Sequence, residues 1–149
     1  MLREIAHFVR HAPEVLRLQA NHSRAEFLEL VMTRADEHGY GELRRAVVGG
    51  LRGRVLEIGC GTGSMFEYYG PDATVVAIEP EADFFAIAAR RAGPFGKRIE
   101  VVAGDGMALG YESGSFDAVV LGLVLCSVPS GSHHALINTV VLKYRNQKP

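Results

Sequence analysis

Two glutamates and three glycines are spaced in this chain as a ligand-holding site would space them. Glu57, Gly59, Gly61 and Gly63 fall together in Glu57-Ile58-Gly59-Cys60-Gly61-Thr62-Gly63, and Glu79 follows about twenty positions after Gly59. Glycines without a β-carbon let a chain turn sharply and let a ligand approach the backbone. A carboxylate at that distance, closing a second apolar run (Thr74-Val75-Val76-Ala77-Ile78), is placed to accept hydrogen bonds from the two ribose hydroxyls of a nucleoside. Val55, Leu56 and Ile58 form the short apolar run of a strand buried on both faces, and Gly59 ends it. The stretch Ser64 to Tyr69 is expected to begin a helix whose free N–H groups point back at the turn.

A glycine loop by itself carries little weight, because a strand-to-helix turn needs glycine for steric reasons alone. Nicotinamide-binding folds share the spacing, but two features set this chain apart from them. Ser64 occupies the sixth fingerprint position, where those folds place glycine or alanine, and the acidic Glu57 precedes the loop.

The surrounding pattern supplies the elements that must hold these residues. Ser23-Arg24-Ala25-Glu26 is a capping box opening a helix with Phe27, Leu28, Val31 and Ala35 on one face, which Gly39 closes. A further helix carries Leu43, Val47 and Leu51, with Arg44-Arg45 expected on its solvated side. Leu2, Ile5, Ala6 and Val9 recur at helical spacing before Pro13, the pattern of an arm packed on the body. Ala82 to Arg91 is expected to be a crossover helix, ended by Gly93-Pro94, with Phe84, Phe85 and Ile87 covering the sheet. Ile99 to Ala103 is a third strand, followed by Gly104-Asp105-Gly106-Met107, and Phe116 to Leu121 is a fourth. Strands alternating with helices imply an α/β fold, a Rossmann-like parallel sheet ordered 3-2-1-4 with flanking helices. Ligands in such sheets lie beyond the carboxyl ends of the strands, where the loops of Gly59, Glu79, Asp105 and Gly122 converge.

Taken in order, Glu57 to Gly63, Glu79-Pro80, Gly104-Asp105-Gly106 and Phe116-Asp117-Ala118-Val119-Val120 resemble the class I S-adenosylmethionine-dependent methyltransferases. Within them the chain is similar to the small-molecule branch around the ubiquinone/menaquinone and methyltransferase-like 7 thiol methyltransferases, the latter especially over Leu123-Val124-Leu125-Cys126-Ser127-Val128. The resemblance runs from about Arg24 to Pro129. It implies S-adenosylmethionine as cofactor, with Glu79 on the ribose beside Pro80 and the backbone of Gly59, Cys60, Gly61, Thr62 and Gly63 bordering the methionine part. It further implies Asp105 accepting from the adenine amino group, with Gly106 and Met107 beside the ring, and Gly122 and Leu123 at the end of the fourth strand. Glu57 would order the loop or reach the cofactor's ammonium through water. The acceptor would be a small thiol, hydroxyl or quinol; the chemistry requires no side-chain base, and none is assigned.

Complete members of that class have seven strands, so the fold expected here is a shortened one. Residues 1–52 form an N-terminal helical segment, 53–129 the cofactor-binding core, and 130–149 an atypical tail containing the β-branched apolar stretch Ala135 to Tyr144. Too little chain separates Pro129 from that stretch for a helical crossover. The fourth strand would then be left as a bare edge, which seeks a partner. The tail in its own chain, a tail exchanged with a second copy, or a second fourth strand making a homodimer would each supply one.

With 149 residues, 48% of them hydrophobic and 22% charged, the chain is long enough for a single core. A net charge of -1 gives no electrostatic footprint for nucleic acid, and no stretch reaches membrane-spanning length. Two isolated cysteines, Cys60 and Cys126, give neither a disulfide framework nor a metal pattern, which fits a reducing cytoplasm. His133-His134 lack a third ligand nearby in sequence, so no metal is expected. Three function classes remain: a methyltransferase, a non-catalytic relative that binds cofactor or only oligomerises, and a nicotinamide-dependent oxidoreductase, which Ser64 and Glu57 disfavour.

Overall fold

The computed structural model describes residues 20–122 and 139–143. The expected N-terminal arm, Leu123, Cys126, His133 and His134 lie outside those residues. One sheet is built from β1 (Gly53–Ile58), β2 (Ala73–Glu79), β3 (Ile99–Ala103), β4 (Ala118–Gly122) and β5 (Thr139–Lys143), in the order β3-β2-β1-β4-β5. The first four strands are parallel in the expected order 3-2-1-4. β5 runs antiparallel along β4, from Gly122 opposite Thr139 to Ala118 opposite Lys143. The outer edge of β4 is therefore paired by the tail of the same chain. Because Thr139 faces Gly122, the chain leaves and re-enters the sheet at one end, and an antiparallel return of that kind needs no crossover helix.

Parallel strands covered on both sides must be apolar on both sides, and the two faces divide cleanly. Val55, Val75, Ala77, Ala118 and Val120 pack with Val48, Leu51, Met65, Phe66, Tyr69, Ala88 and Ala92 in the main core. Leu56, Val76, Ile78 and Phe116 form a second cluster on the other face, joined by Ile58, Val102, Val119 and Tyr111. There Tyr111 meets Phe116 edge to face at 5.0 Å between centroids. Among the described residues no helix contributes to this second cluster; the loop between β3 and β4 covers it.

The helices are α1 (Arg24–Ala35), α2 (Gly41–Val48) and α3 (Ala82–Ala92). The capping box is formed: the Ser23 hydroxyl accepts from the Glu26 N–H at 3.3 Å, and a Glu26 carboxylate oxygen accepts from the Ser23 N–H at 2.8 Å. Gly39, at φ 103°, takes the left-handed conformation that ends the α1 segment. Two expectations need correcting. Phe84 and Ile87 turn outward from α3 onto Ala25 and Leu28 of α1, while the small Ala88 and Ala92 face the sheet. A helix caught between two layers puts alanines where backbones must approach and large side chains where a second helix leaves room.

The other correction concerns α2, whose buried residues are Gly41, Arg44 and Val48, while Leu43 is 60% exposed. Arg45 stays outside, its guanidinium 5.6 Å from the centre of the Tyr68 ring. Arg44 goes inside because Asp36 is there to neutralise it, at 2.7 Å from Nε. The remaining nitrogens lie against the sulfurs of Met32 (3.2 Å) and Met65 (3.5 Å).

Removing one partner of such an ion pair strands the other charge in a poorly hydrated place. Asp36→Ala is expected to destabilise the fold by roughly 2–3 kcal/mol, below the value for a fully buried pair because the Asp36 side chain is 19% exposed. Arg44→Met in the same background should restore much of that loss in urea denaturation. A loss under about 0.5 kcal/mol for Asp36→Ala, the level of an exposed pair, would mean that the ion pair does not support the fold.

Candidate functional site

The strand ends that the sequence pointed to are gathered at one edge of the sheet. β1 and β2 run in register from Gly53 opposite Ala73 to Ile58 opposite Ile78, so the turn after Ile58 lies beside Glu79. The N–H groups of Gly59 and Cys60 both donate to the Ile78 carbonyl, at 2.8 and 3.0 Å. One Glu79 carboxylate oxygen accepts from the Gly61 N–H at 2.8 Å, and the other accepts from the Glu81 N–H at 3.0 Å, folding the chain around Pro80. The Glu79 carbonyl in turn accepts from the Gly104 N–H at 3.3 Å. Glu79, 6% exposed, thus stitches the ends of three strands together.

Beyond β3, an Asp105 carboxylate oxygen accepts from the Met107 N–H at 2.9 Å and shapes the turn. Gly106 rests on Ile58, where a Cβ would collide with the isoleucine side chain, so this turn sits over the end of β1. Met107 is 77% exposed. Gly122 ends β4 one residue beyond the pairing of Ile58 with Leu121. Leu123 lies outside the described residues.

The helix expected over Ser64 to Tyr69 is reduced to a single 3-10 turn, Phe66–Tyr68. Gly70-Pro71 stops it before β2 begins at Ala73, and the buried Phe66 ring fills the space under Gly63, where a Cβ would strike it. Among the described residues no long helix therefore aims its N-terminus at the turn. The Gly63 N–H donates to the Cys60 carbonyl, so the N–H groups of Gly59, Cys60, Gly61 and Gly63 are all engaged by the protein.

Behind the loop lies a layer of which the sequence motif signalled only Glu57. Glu57 is 1% exposed and accepts a hydrogen bond from the Tyr69 hydroxyl at 3.0 Å. Burial pushes its carboxyl up to about 7, against smaller opposing effects of the Tyr69 hydrogen bond and the positive charge of Arg44. Burial also raises the Tyr69 phenol, with Glu57 adding to it, and raises the Cys60 thiol, with Glu57 and then Glu79 adding to it. Cys60 is consequently a protonated, buried side chain and no nucleophile. Thr62, 1% exposed, has a buried hydroxyl without a hydrogen-bond partner. Its carbonyl accepts from Arg91 of α3 at 3.4 Å, and Arg91 also pairs with Glu29 of α1 at 3.2 Å. Helical spacing pointed the other way for Arg44, because Leu43, Val47 and Leu51 made the apolar stripe, whereas the buried residues are Gly41, Arg44 and Val48. Tyr69 carried no signal.

A cleft of about 330 Å³ lies away from the strand ends, lined by residues that include Thr33, Glu37, Ser64, Glu67 and Arg91. Of the loop residues it shares only Ser64. Among the described residues no cluster of His, Cys, Asp or Glu could hold a metal ion, and no helix is long and apolar enough to cross a membrane.

Residues 55–142 match the family described as "Methyltransferase domain", more than half of the chain, and the chain belongs to that family, with the class I fold and with S-adenosylmethionine as its cofactor. The chain is similar to the human thiol S-methyltransferase TMT1A, 43% identical over 79 residues that make up 50% of this chain and 32% of that protein. It is also similar to the human thiol S-methyltransferase TMT1B, 39% identical over 88 residues (54% and 35%). A demethylmenaquinone methyltransferase of Lactococcus lactis is 35% identical over 80 residues (50% and 32%). The matched stretch spans about a third of the length of these relatives. The fold is shared with a Methanococcus maripaludis protein described as an S-adenosyl-L-methionine-dependent methyltransferase, at a TM-score of 0.60 and 17% identity, over 68% of this chain and 50% of that one.

The buried Glu57 makes stability depend on pH with a definite sign. Its carboxyl binds a proton more tightly in the folded chain (about 7) than its ordinary value of 4.5 allows, so its contribution to stability is complete below pH 4.5 and is lost as pH rises to 7. The loss amounts to about 3 kcal/mol. Unfolding followed between pH 4.5 and 8 should show this decline in the native chain and a flatter profile in Glu57→Gln; identical profiles would remove Glu57 as its source.

Proposed function

We infer that this chain is the cofactor-binding part of a methyltransferase that moves the methyl group of S-adenosylmethionine to a small-molecule nucleophile, with a thiol the favoured acceptor. The hydrogen bond from the Gly61 N–H to Glu79 carries this reading. A pyrophosphate site needs free backbone donors and no nearby negative charge. Here the N–H groups of Gly59, Cys60, Gly61 and Gly63 are spent on the protein and the buried Glu57 backs the loop, which suits a cofactor whose ammonium and sulfonium are positive and disfavours a dinucleotide.

The described residues fit such a group. A Cβ placed on Gly61 would meet nothing within 4 Å, so the outer side of the loop is open for a close approach. Each Glu79 oxygen accepts a single backbone hydrogen bond and a carboxylate accepts about four, so both oxygens can still take ribose hydroxyls. The exposed Met107 would lie along the adenine ring, with Asp105 and Gly106 at its edge and Gly122 and Leu123 beyond. The backbone of Cys60, Thr62 and Gly63 would border the methionine part, and Pro80 would hold Glu79 in place. S-adenosylmethionine supplies an already activated methyl group. The protein's share is to hold the donor still, keep water away and let the acceptor approach in line.

Similarity to the thiol S-methyltransferases supports a thiol acceptor, and the similarity to the demethylmenaquinone enzyme keeps a quinol as the next choice. A second reading, cofactor binding without turnover, is supported by the second face of the sheet, which among the described residues is covered by the β3–β4 loop and by no helix. Two isolated cysteines suit a reducing cytoplasm. β5, and no longer β4, is the outer strand through which a second copy would add to make a homodimer.

Calorimetric titration with S-adenosylhomocysteine tests the reading. Binding is expected, and Glu79→Ala should weaken it by roughly 2–4 kcal/mol, since two hydrogen bonds to a charged acceptor are lost. NAD binding without S-adenosylhomocysteine binding would overturn the assignment. Methyl transfer to a panel of small thiols and quinols then separates an enzyme from a non-catalytic relative.

A further inference from the structure

Glu57 and Glu79 flank the same loop but are held differently. Glu79 receives two backbone N–H donors. Among the described residues Glu57 receives one phenolic hydroxyl, and the buried cation that acts on it, Arg44, makes its ion pair with Asp36. The charged and titratable groups around Glu57 are Tyr69 after the 3-10 turn, Arg44 on α2 with Asp36 behind it, and Cys60 in the loop, with Glu79 on the far side of Cys60. Tyr69 is itself 5% exposed, so water does not reach the pair freely.

We propose that Tyr69 is a positioning residue for cofactor binding: by donating to Glu57 it sets how readily that carboxylate ionises, and cofactor binding expels a proton from Glu57. The proposal rests on the reading that the cofactor's ammonium lies over the Gly59–Gly63 loop. Burial, with one phenolic donor as the hydrogen-bond partner, raises the Glu57 carboxyl to about 7 and so favours its protonated form over that of an ordinary exposed glutamate. A positive charge arriving over the loop favours the carboxylate without touching it. Coulomb attraction from a nearby cation lowers the pH at which a carboxyl ionises, and it does so more strongly in a poorly hydrated site than in water. The balance is simple: one carboxylic O–H ionises, and the proton leaves to solvent as the cation binds. Tyr69 keeps its own proton throughout, because burial and Glu57 both raise its phenol.

The test is titration of the full chain with S-adenosylhomocysteine in two buffers of different ionisation enthalpy, repeated from pH 5.5 to 8.5. The expected result is net proton release that is largest below pH 7, between the values at which Glu57 ionises in the free and in the bound chain, and that disappears in Glu57→Gln. Tyr69→Phe removes a hydrogen bond that favours the ionised form, so the pH of greatest release should move up by roughly one to two units. A loss of packing alone would lower affinity without moving that pH. Binding with no proton release at any pH overturns the inference and leaves the methyltransferase reading standing. Absence of binding at every pH removes both. Release that persists in Glu57→Gln, or keeps its pH in Tyr69→Phe, also overturns it.

Discussion

The Glu79 carboxylate is where the architecture of this domain closes. Four parallel strands end at one edge, and nothing in a ladder of main-chain hydrogen bonds holds the loops beyond it in register with one another. Glu79 does so by accepting from Gly61 across the first crossover and from Glu81 around Pro80, while its carbonyl takes the Gly104 N–H from the third strand's turn. A carboxylate in a buried position must be satisfied by donors, and backbone N–H groups satisfy it at fixed geometry. The same bonds that solve a burial problem therefore assemble the site.

Beneath the loop, α1, α2 and α3 do a second job. Arg44 carries a positive charge into the core between Met32 and Met65, neutralised by Asp36 from the kinked turn after α1. Arg91 ties α1 through Glu29 to the Thr62 carbonyl. Arg91 connects the helical layer to the glycine loop itself and Arg44 to Met65 just beyond it, so the helices support the backbone a ligand would meet. Glu57 and Tyr69 are enclosed between the two layers, which gives their hydrogen bond its weight: in a site of low effective dielectric, a single donor matters more than it does in water.

The domain is uneven across its sheet. One face is packed by helices around a continuous core, while the other is covered, among the described residues, by a loop that lays Tyr111 and Phe116 across Leu56, Val76 and Ile78. Arg54, at the start of β1, stacks 4.6 Å from the centre of the Phe116 ring, and its N–H donates to Asp117 at 2.7 Å, anchoring that loop at the end of the sheet opposite the site. The antiparallel β5 completes the edge next to β4.

Much of this was legible in the chain itself. Short, mostly apolar runs, each closed by glycine or an acid, mark four strands of a covered parallel sheet, and their alternation with helices gives the order 3-2-1-4. The capping box at Ser23 and the pairing of a glycine loop with Glu79 depend on local spacing, and local spacing is what a sequence records directly. Tertiary structure alone decided which side of a helix faces inward when a charge must go in. Arg44 is buried because Asp36 and two thioethers wait for it, and Phe84 turns away from the sheet because α1 is there to receive it. It also decided that Ser64 to Tyr69 would make a single turn over the Phe66 ring, and that Tyr69 would reach Glu57. These outcomes depend on the free energy of desolvation and on which partner arrives from elsewhere in the chain, and neither quantity is written in the spacing of residues along it.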